Sequence, residues 1–228
     1  MTHKLLKEYV SLLLKEKKTI SDASNENLGL FVADFDIEMT LVLYDTTSIA
    51  EDYQNLIDTG AIENSWDSSS VLMNSFKGAI GLNKVPDSDA PSYDASEVVF
   101  SGAEKGYGPL MYDIAMQYCG KLMSDRHEVS KSAMGVWNYY FDNRSDVKHY
   151  KLDDYQHPKT RNKFDDAIVY QFGDKDNPLN YAYELKSNIN VSKLLANSKA
   201  VEEKCDKRFF SKMQDASLAY FRKRYNNQ

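Results

Sequence analysis

The sequence predicts an α/β (α+β) protein in which a mixed central sheet is flanked by helices. Two short runs, at 28–35 and 37–44, are rich in apolar, β-branched and aromatic residues, which is typical of strands. Apolar residues recur at helical spacing over 5–17, with charged residues opposite them. A short apolar strand at 97–101 runs directly into a glycine turn, and Pro109 stands at the first position of the helix that follows.

The first half of the chain supplies helices and strands in turn. After the first helix, residues 19–25 are expected to form a polar connection to the two strands. Asp45 offers N-cap chemistry for the next helix, and Gly60 ends that helix. Residues 71–76 and 79–85 are expected to form a hairpin pair of strands that turns at Lys77-Gly78.

The second half continues the same alternation. The predicted elements are a helix at 110–118, a strand at 121–124, a helix at 130–141, a late strand pair at 167–172 and 181–185, and a helical stretch at 192–225. No internal repeat or low-complexity linker interrupts the sequence. We therefore expect a single domain over residues 1–228.

Composition and charge exclude several classes of protein. A net charge of -6 and a pI near 5.3 argue against a protein whose main task is sequence-independent binding to nucleic acid. No apolar stretch reaches about 18 residues, so no membrane span is expected. Cys119 and Cys205 match no zinc or thioredoxin spacing, which favours reduced thiols and a cytoplasmic location. The 16 tyrosines leave room for an interface, such as that of a homo-oligomer.

Residues 104–111, Glu-Lys-Gly-Tyr-Gly-Pro-Leu-Met, are the most informative segment. A strand followed by Gly106, Gly108 and a helix start aligns backbone N–H groups at the positive end of a helix dipole, where phosphate oxygens bind. An ordinary tight turn uses the same residues. A dinucleotide fingerprint would need a third glycine where Met111 stands, and a P-loop would need Gly-Lys-Ser/Thr, so neither is present.

Residues 97–112 resemble the GNAT superfamily, the general N-acetyltransferase fold that binds acetyl-coenzyme A. In that family a strand delivers a glycine-rich turn whose amides hold the coenzyme's pyrophosphate, and a helix follows. Another strand, an Asn-led helix of the form N-x-x-A-x-x-L-Y and a closing strand pair come next. Residues 129–137 are similar to that helix, with Ser130 at the Asn position, Ala133 at the Ala and Trp137 at the Tyr.

The resemblance covers residues 37–185, and two residues within this range depart from the family's pattern. It leaves an N-terminal helix and lead-in strand at 1–36 and a C-terminal helical extension at 186–228 outside the core. Some segments also look like acyltransferase-like proteins of tailed bacteriophages, which implies a host cytoplasm or a virion as the location. Ala103 stands where the family has Arg or Gln, and Trp137 replaces the tyrosine acid with an indole that cannot act as an acid near neutral pH.

The resemblance implies acetyl-CoA, or another acyl-CoA, as co-substrate. Its pyrophosphate is expected at the glycine turn, and its remaining contacts on the turn and on the Ser130 helix. The residues expected to bind it are Ala103, Glu104, Lys105, Gly106, Tyr107, Gly108, Pro109, Leu110, Ser130 and Trp137. No metal site is expected from the spacing of the acidic residues.

A transferase of this kind would orient an amine against the thioester carbonyl while a base removes the amine proton. Glu97, Glu104 and Asp125 are acidic candidates near the strand ends, and His127 has the best-suited pKa. Tyr139 or Tyr140 could replace the missing acid. Some of these candidates also have a plainer interpretation: an exposed turn for His127, core packing for the tyrosine, and a structural pair with Arg126 for Asp125.

Three functions are compatible with the sequence. The first is an acetyl-CoA-dependent N-acyltransferase with an amine acceptor. The second is a catalytically degenerate structural or interaction protein, such as a bacteriophage virion component or a host-interacting factor. The third, a nucleic-acid-modifying acyltransferase, would need the basic residues at 222–224 to face the cleft. The sequence leaves the identity of the acceptor and the oligomeric state open.

Overall fold

The computed structural model describes residues 17–84, 94–126, 128–152 and 177–225. It contains a seven-stranded mixed sheet with helices on both faces, which confirms the predicted fold class. The strands are β1 (Leu28–Asp34), β2 (Glu38–Asp45), β3 (Phe76–Asn83), β4 (Ser96–Ala103), β5 (Lys121–Ser124), β6 (Val147–Lys151) and β7 (Tyr181–Leu185). The α-helices are α1 (Ile20–Asn25), α2 (Thr46–Asp58), α3 (Ser65–Leu72), α4 (Gly108–Cys119), α5 (Lys131–Asn143), α6 (Ser192–Glu202) and α7 (Phe209–Tyr225).

The strand order is β1-β2-β3-β4-β5-β7-β6. Strands β1 to β4 are antiparallel neighbours, whereas β4 and β5 run parallel. The closing strand β7 pairs antiparallel with both β5 and β6. The sequence predicted β7 but expected its partner at 167–172, which lies outside the described residues; β6 is a partner that the sequence did not predict.

Local capping chemistry sets several helix ends where the sequence predicted them. The Asp45 carboxylate accepts hydrogen bonds from the amides of Thr47 and Ser48, at 3.0 and 2.9 Å, and so begins α2. Gly60 has a φ of +71°, which favours glycine, just beyond the end of that helix. Ser130 accepts from the Ala133 amide at 3.3 Å and caps α5.

The predicted hairpin at 71–76 and 79–85 is wrong. Helix α3 continues to Leu72 and a short 3-10 helix follows at Met73–Ser75, so the first predicted strand is almost entirely helical, and the single strand β3 begins only at Phe76. This strand pairs with β2 on one side and β4 on the other, so its apolar run reflects burial in the middle of the sheet. Gly78 makes no turn: a Cβ there would lie 2.8 Å from Met111 Cγ, so glycine allows α4 to approach the sheet closely.

The polar connection predicted at 19–25 is also corrected, because it contains the short helix α1. Thr19 and Asp22 form a reciprocal capping box, in which each side chain bonds the other's backbone amide. Ala23 is fully buried against the core. The polar residues therefore form the cap of a helix rather than a loop. The helix predicted at 5–17 lies outside the described residues except for Lys17.

The helical stretch predicted at 192–225 is broken into α6 and α7 by the turn at 203–208. Helix α6 lies along the edge strand β1. The Asn197 side-chain amide donates to the Leu28 carbonyl and the Ser198 hydroxyl to the Leu30 carbonyl, both at 2.9 Å. Edge carbonyls that would otherwise face another chain are thereby satisfied.

The two faces of the sheet carry different helices, and β4 is covered on both. Helices α4 and α5 pack over one face, and α2, α3 and α7 over the other. On the α7 side, Phe100 of β4 packs against Phe221 with ring centroids 4.4 Å apart and ring planes tilted by 44°. The opposite face of β4 carries the candidate site. Within the described ranges, no helix is long and apolar enough to cross a bilayer.

Candidate functional site

The parallel strands β4 and β5 separate soon after they meet. They pair only at Ser96–Leu122, Glu97–Met123 and Val98–Ser124, as the residue correspondence of the two strands shows. Beyond Val98, β4 continues to Ala103 beside β3 alone, while the chain leaves β5 toward α5. A groove opens between the free edge of β4, the start of α4 and the start of α5.

A β-bulge marks the point of separation. Leu82 of β3 faces Val98 and Gly81 faces Phe100, so Val99 is an extra residue in β4. The bulge shifts the alternation of side chains along the strand. As a result Val98 and Ser101 point to the same face of the sheet, the face that α4 and α5 cover.

The groove consists of two adjoining pockets of about 420 and 180 Å³. Ser101, Tyr112 and Ala133 line both pockets and form their junction. The larger pocket extends toward the turn after β5, and among its lining residues are Val98, Val99, Asp125, Glu128, Ser130 and Trp137. The smaller pocket extends toward the glycine turn, and among its lining residues are Ala103, Gly108, Met111, Ser132 and Val136.

Aromatic side chains build a rigid floor. Trp137 is 2% exposed, and the edge of its ring system meets Tyr112 with centroids 5.0 Å apart and planes at 89°. Tyr183 of β7 supports the indole from another side, at 5.2 Å. The Tyr112 Oη and Ser101 Oγ atoms lie 2.8 Å apart. Burial raises the pKa of Tyr112 to about 12, so its hydroxyl keeps its proton at neutral pH.

The glycine turn is anchored by backbone hydrogen bonds. The Glu104 amide donates to the Lys77 carbonyl at 2.8 Å, and the Gly106 carbonyl accepts from the Lys18 amide at 3.1 Å. Gly106 has a φ of +94°, a conformation that favours glycine. Helix α4 then begins at Gly108 with Pro109 in its first turn, where N–H groups lack partners inside the helix.

Packing does not require glycine at position 108. A Cβ on Gly108 would lie 3.8 Å from Val136, which is an ordinary contact, and its backbone does not have a positive φ. Yet Gly108 lines the smaller pocket at the N-terminus of α4. The missing side chain leaves the helix start open to the groove, as an anion-binding helix end requires.

The structure places some of the predicted coenzyme-binding residues on the groove. Those that line it are Ala103, Gly108, Ser130 and Trp137. The remaining ones, Glu104, Lys105, Gly106, Tyr107, Pro109 and Leu110, do not line either pocket. Leu110 is 1% exposed in the core, and the Tyr107 hydroxyl donates to Glu26. The Pro109 carbonyl accepts from the Tyr140 hydroxyl at 2.8 Å.

Of the predicted catalytic residues in the described part of the chain, Asp125 lines the groove. The buried Glu97 instead accepts a hydrogen bond from the Arg126 amide at 2.8 Å. Glu104 forms a surface ion pair with Lys77 at 3.2 Å. Tyr139 lies outside the groove beneath the Lys17 ammonium group. His127 falls outside the described residues.

The groove residues that sequence reasoning did not select include Ser101, Tyr112 and Glu128. Glu128 follows Asp125 by three residues, and the Asp125 carboxylate accepts from the Glu128 amide at 3.1 Å. Both acids line the same pocket, and the Asp125-x-x-Glu128 spacing was the only indication of this in the sequence. No signal in the sequence marks the contact between Ser101 and Tyr112, because it depends on the bulge.

The two ends of the groove differ in charge. The N-terminus of α4 supplies positive potential at the end that Gly108 lines. Asp125 and Glu128 supply carboxylates at the other end. This difference in charge favours one orientation of an elongated ligand with an anionic head, in which its far end lies beside the two acids. Among the described residues, no group of three or more His, Cys, Asp or Glu side chains is arranged to hold a metal ion.

Comparison with known proteins gives no match. No family model, no curated protein and no solved structure matches the chain.

Proposed function

We propose that this chain is an acyl-CoA-dependent N-acyltransferase-like protein, which binds acetyl-CoA or another acyl-CoA and transfers the acyl group to an amine. The observation that carries the proposal is the groove beside β4. It opens where the parallel pair separates, has a bulge on one wall, and ends at the start of α4. The order of β4, glycine turn, α4, β5, α5 and a closing strand pair supports the GNAT resemblance.

The smaller pocket suits the phosphate end of the donor. Gly108 leaves the N-terminus of α4 open there, and backbone N–H groups at a helix start bind phosphate oxygens. The free edge of β4 beyond Val98 suits the pantetheine arm, since an extended ligand can pair with a strand edge through its own amides. In this orientation the acyl end reaches the larger pocket near Val99.

The bound thioester supplies an activated carbonyl, and the chain's residues orient the acceptor toward it. The bulge at Val99 takes backbone groups of β4 out of the regular ladder, so that an N–H can donate to the oxygen on which charge develops. Asp125 and Glu128 attract a cationic amine, whose nitrogen loses one proton to a carboxylate before it attacks and a second proton to solvent as the amide forms. The C–N bond forms, the C–S bond breaks, and the thiolate takes a proton from water.

A second candidate function is coenzyme or partner binding without transfer, as in a catalytically degenerate structural or interaction protein. Two observations favour it. Trp137, at the position of the family's tyrosine acid, is packed into the floor. Glu97, an expected base, is turned away from the groove toward the Arg126 amide. A virion component or host-interacting factor would use the same fold in this way.

Two measurements separate these functions. Calorimetry with acetyl-CoA tests binding, and release of free thiol in the presence of a set of primary amines tests transfer. The transferase predicts saturable binding together with thiol release that depends on the amine. Binding without amine-dependent release would favour the degenerate alternative. Absence of binding at millimolar acetyl-CoA would refute both forms of the coenzyme proposal.

A further inference from the structure

Ser101 and Tyr112 form a hydroxyl pair on the floor of the groove. Their oxygens lie 2.8 Å apart, and both residues line both pockets. The pair therefore lies where the two pockets join, between the pocket at the start of α4 and the pocket that holds the two carboxylates. Its neighbours in the larger pocket include the apolar side chains of Val98, Ala133 and Trp137. A polar group at this position has a larger effect on ligand choice than it would have on an open surface.

The pair holds one hydrogen-bond donor more than it uses. Two hydroxyls carry two protons, and the bond between them consumes one. In the described portion of the protein, neither hydroxyl has another hydrogen-bond partner. Tyr112 is 2% exposed, whereas Ser101 is partly exposed and borders the groove. The second proton is therefore directed most easily from Ser101 to a ligand.

The bulge at Val99 is what brings Ser101 to this position. Ser101 lies opposite Ile80 of β3, whose side chain belongs to the core beneath α4. In a regular strand, Ser101 would face the same side as Val99, and Phe100 the same side as Val98. Instead Phe100 packs on Phe221 of α7. The same irregularity that opens the groove therefore also places a hydroxyl in it.

We propose that this hydroxyl pair recognises an amide carbonyl in the pantetheine arm of the acyl-CoA, with Ser101 as the donor and Tyr112 as the residue that positions it. This inference rests on the proposed function and assigns the middle section of the ligand. Ser101 lies roughly 7 Å along the strand from Ala103. A pantetheine arm carries its amides between phosphate and sulfur, and an arm extended along β4 brings a carbonyl to this hydroxyl.

The test compares Ser101→Ala and Tyr112→Phe with the wild type by calorimetry. The probes are acetyl-CoA, pantetheine and adenosine 3′,5′-bisphosphate, the last of which lacks the arm. Ser101→Ala should weaken the binding of acetyl-CoA and of pantetheine by about fivefold to tenfold, which is the effect of one lost hydrogen bond. Affinity for the bisphosphate should stay unchanged. Tyr112→Phe should weaken the binding of the same two probes by a smaller factor, because Ser101 keeps its own hydroxyl donor but loses the hydrogen bond with Tyr112 that positions it.

Matched controls exclude a general loss of structure. Ser211→Ala changes an exposed serine of α7, and Tyr118→Phe changes a tyrosine at the far end of α4; both should bind like the wild type. If acetyl-CoA binds the wild type and Ser101→Ala equally well, this inference is overturned and the proposed function stands. An equal loss for all three probes would show a merely structural role and overturn it too. If the wild type binds no acetyl-CoA, the proposed function fails and this inference fails with it.

Discussion

The guanidinium group of Arg144 donates to both carboxylate oxygens of Asp113, at 2.9 and 3.1 Å. This pair ties the end of α5 to the middle of α4, the two helices that wall the groove. The Tyr140 hydroxyl joins the same carboxylate, and Asp146 holds the other side of the guanidinium group. With side chains only 12% and 18% exposed, the Arg144–Asp113 pair is largely removed from water.

Replacing Arg144 tests how strongly this pair stabilises the helix contact. Arg144→Met leaves the Asp113 carboxylate buried without its cation, which should lower the free energy of unfolding by about 2–4 kcal/mol. The matched control is Arg208→Met, since Arg208 pairs with Glu63 and Asp206 at the surface, where an exposed ion pair contributes about 1 kcal/mol or less. Urea denaturation measures both. Equal losses of unfolding free energy in the two variants would contradict the distinction between a buried and an exposed ion pair.

A substitution at Gly78 tests the close packing of α4 against β3, which the structure shows where the sequence predicted a hairpin. Gly78→Val puts atoms within 2.8 Å of Met111 Cγ and 3.1 Å of Ala103 Cβ, so it should lower the free energy of unfolding by about 1–3 kcal/mol. Gly135→Val is the control, because a Cβ there meets nothing within 4 Å. Thermal unfolding reports the difference. A Gly78→Val protein as stable as the wild type would mean that α4 does not approach β3 closely.

The lowered pKa of Lys17 predicts that the stability of the protein depends on pH. Burial, with Arg144 nearby, lowers the pKa of Lys17 to about 8, although Asp113 opposes the shift. Between pH 8 and the higher pKa of the unfolded chain, the unfolded state binds more protons than the folded state, so this residue makes stability rise with pH. Urea midpoints should therefore rise less between pH 7.5 and 9.5 in Lys17→Met than in the wild type. The exposed Lys193→Met should match the wild type, and identical profiles for all three proteins would refute the assignment.

Glu128 tests the direction of the ligand in the groove. Glu128→Gln removes one negative charge from the end that faces the acceptor, so it should raise the KM for a cationic amine by about threefold to tenfold. The affinity for acetyl-CoA should not change, because the donor's phosphates lie at the other end. Steady-state kinetics with calorimetry separates the two effects. A loss of acetyl-CoA affinity with an unchanged amine KM would reverse the proposed orientation.

Local chemistry explains which parts of the fold could be predicted from the sequence. Asp45 and Ser130 cap helices through bonds to amides two or three residues away, so their spacing alone indicates the helix starts. Lys77-Gly78 looked like a turn because glycine serves both turns and close approaches. Only the position of Met111, far away in sequence, decides between these alternatives.

The candidate site was predictable only in part for the same reason. The glycine turn and the start of α5 are local features, and they indicated where Gly108 and Ser130 lie. The orientations of Glu97 and Ser101 depend on the register between β3 and β4, which the bulge at Val99 shifts. A bulge leaves no distinct mark in the sequence. Sequence reasoning therefore selected Glu97 and did not select Ser101.

Titration of acetyl-CoA into the wild type, Gly108→Val and Gly135→Val is the most direct test of the central claim. Gly108→Val places a side chain in the smaller pocket without backbone strain, and Gly135→Val adds the same atoms to the neighbouring helix where a Cβ has open space. We predict saturable binding for the wild type and Gly135→Val, and a loss of about tenfold or more, roughly 1.4 kcal/mol, for Gly108→Val. Equal affinity in all three proteins, or no binding by the wild type, would contradict an acyl-CoA site at the start of α4.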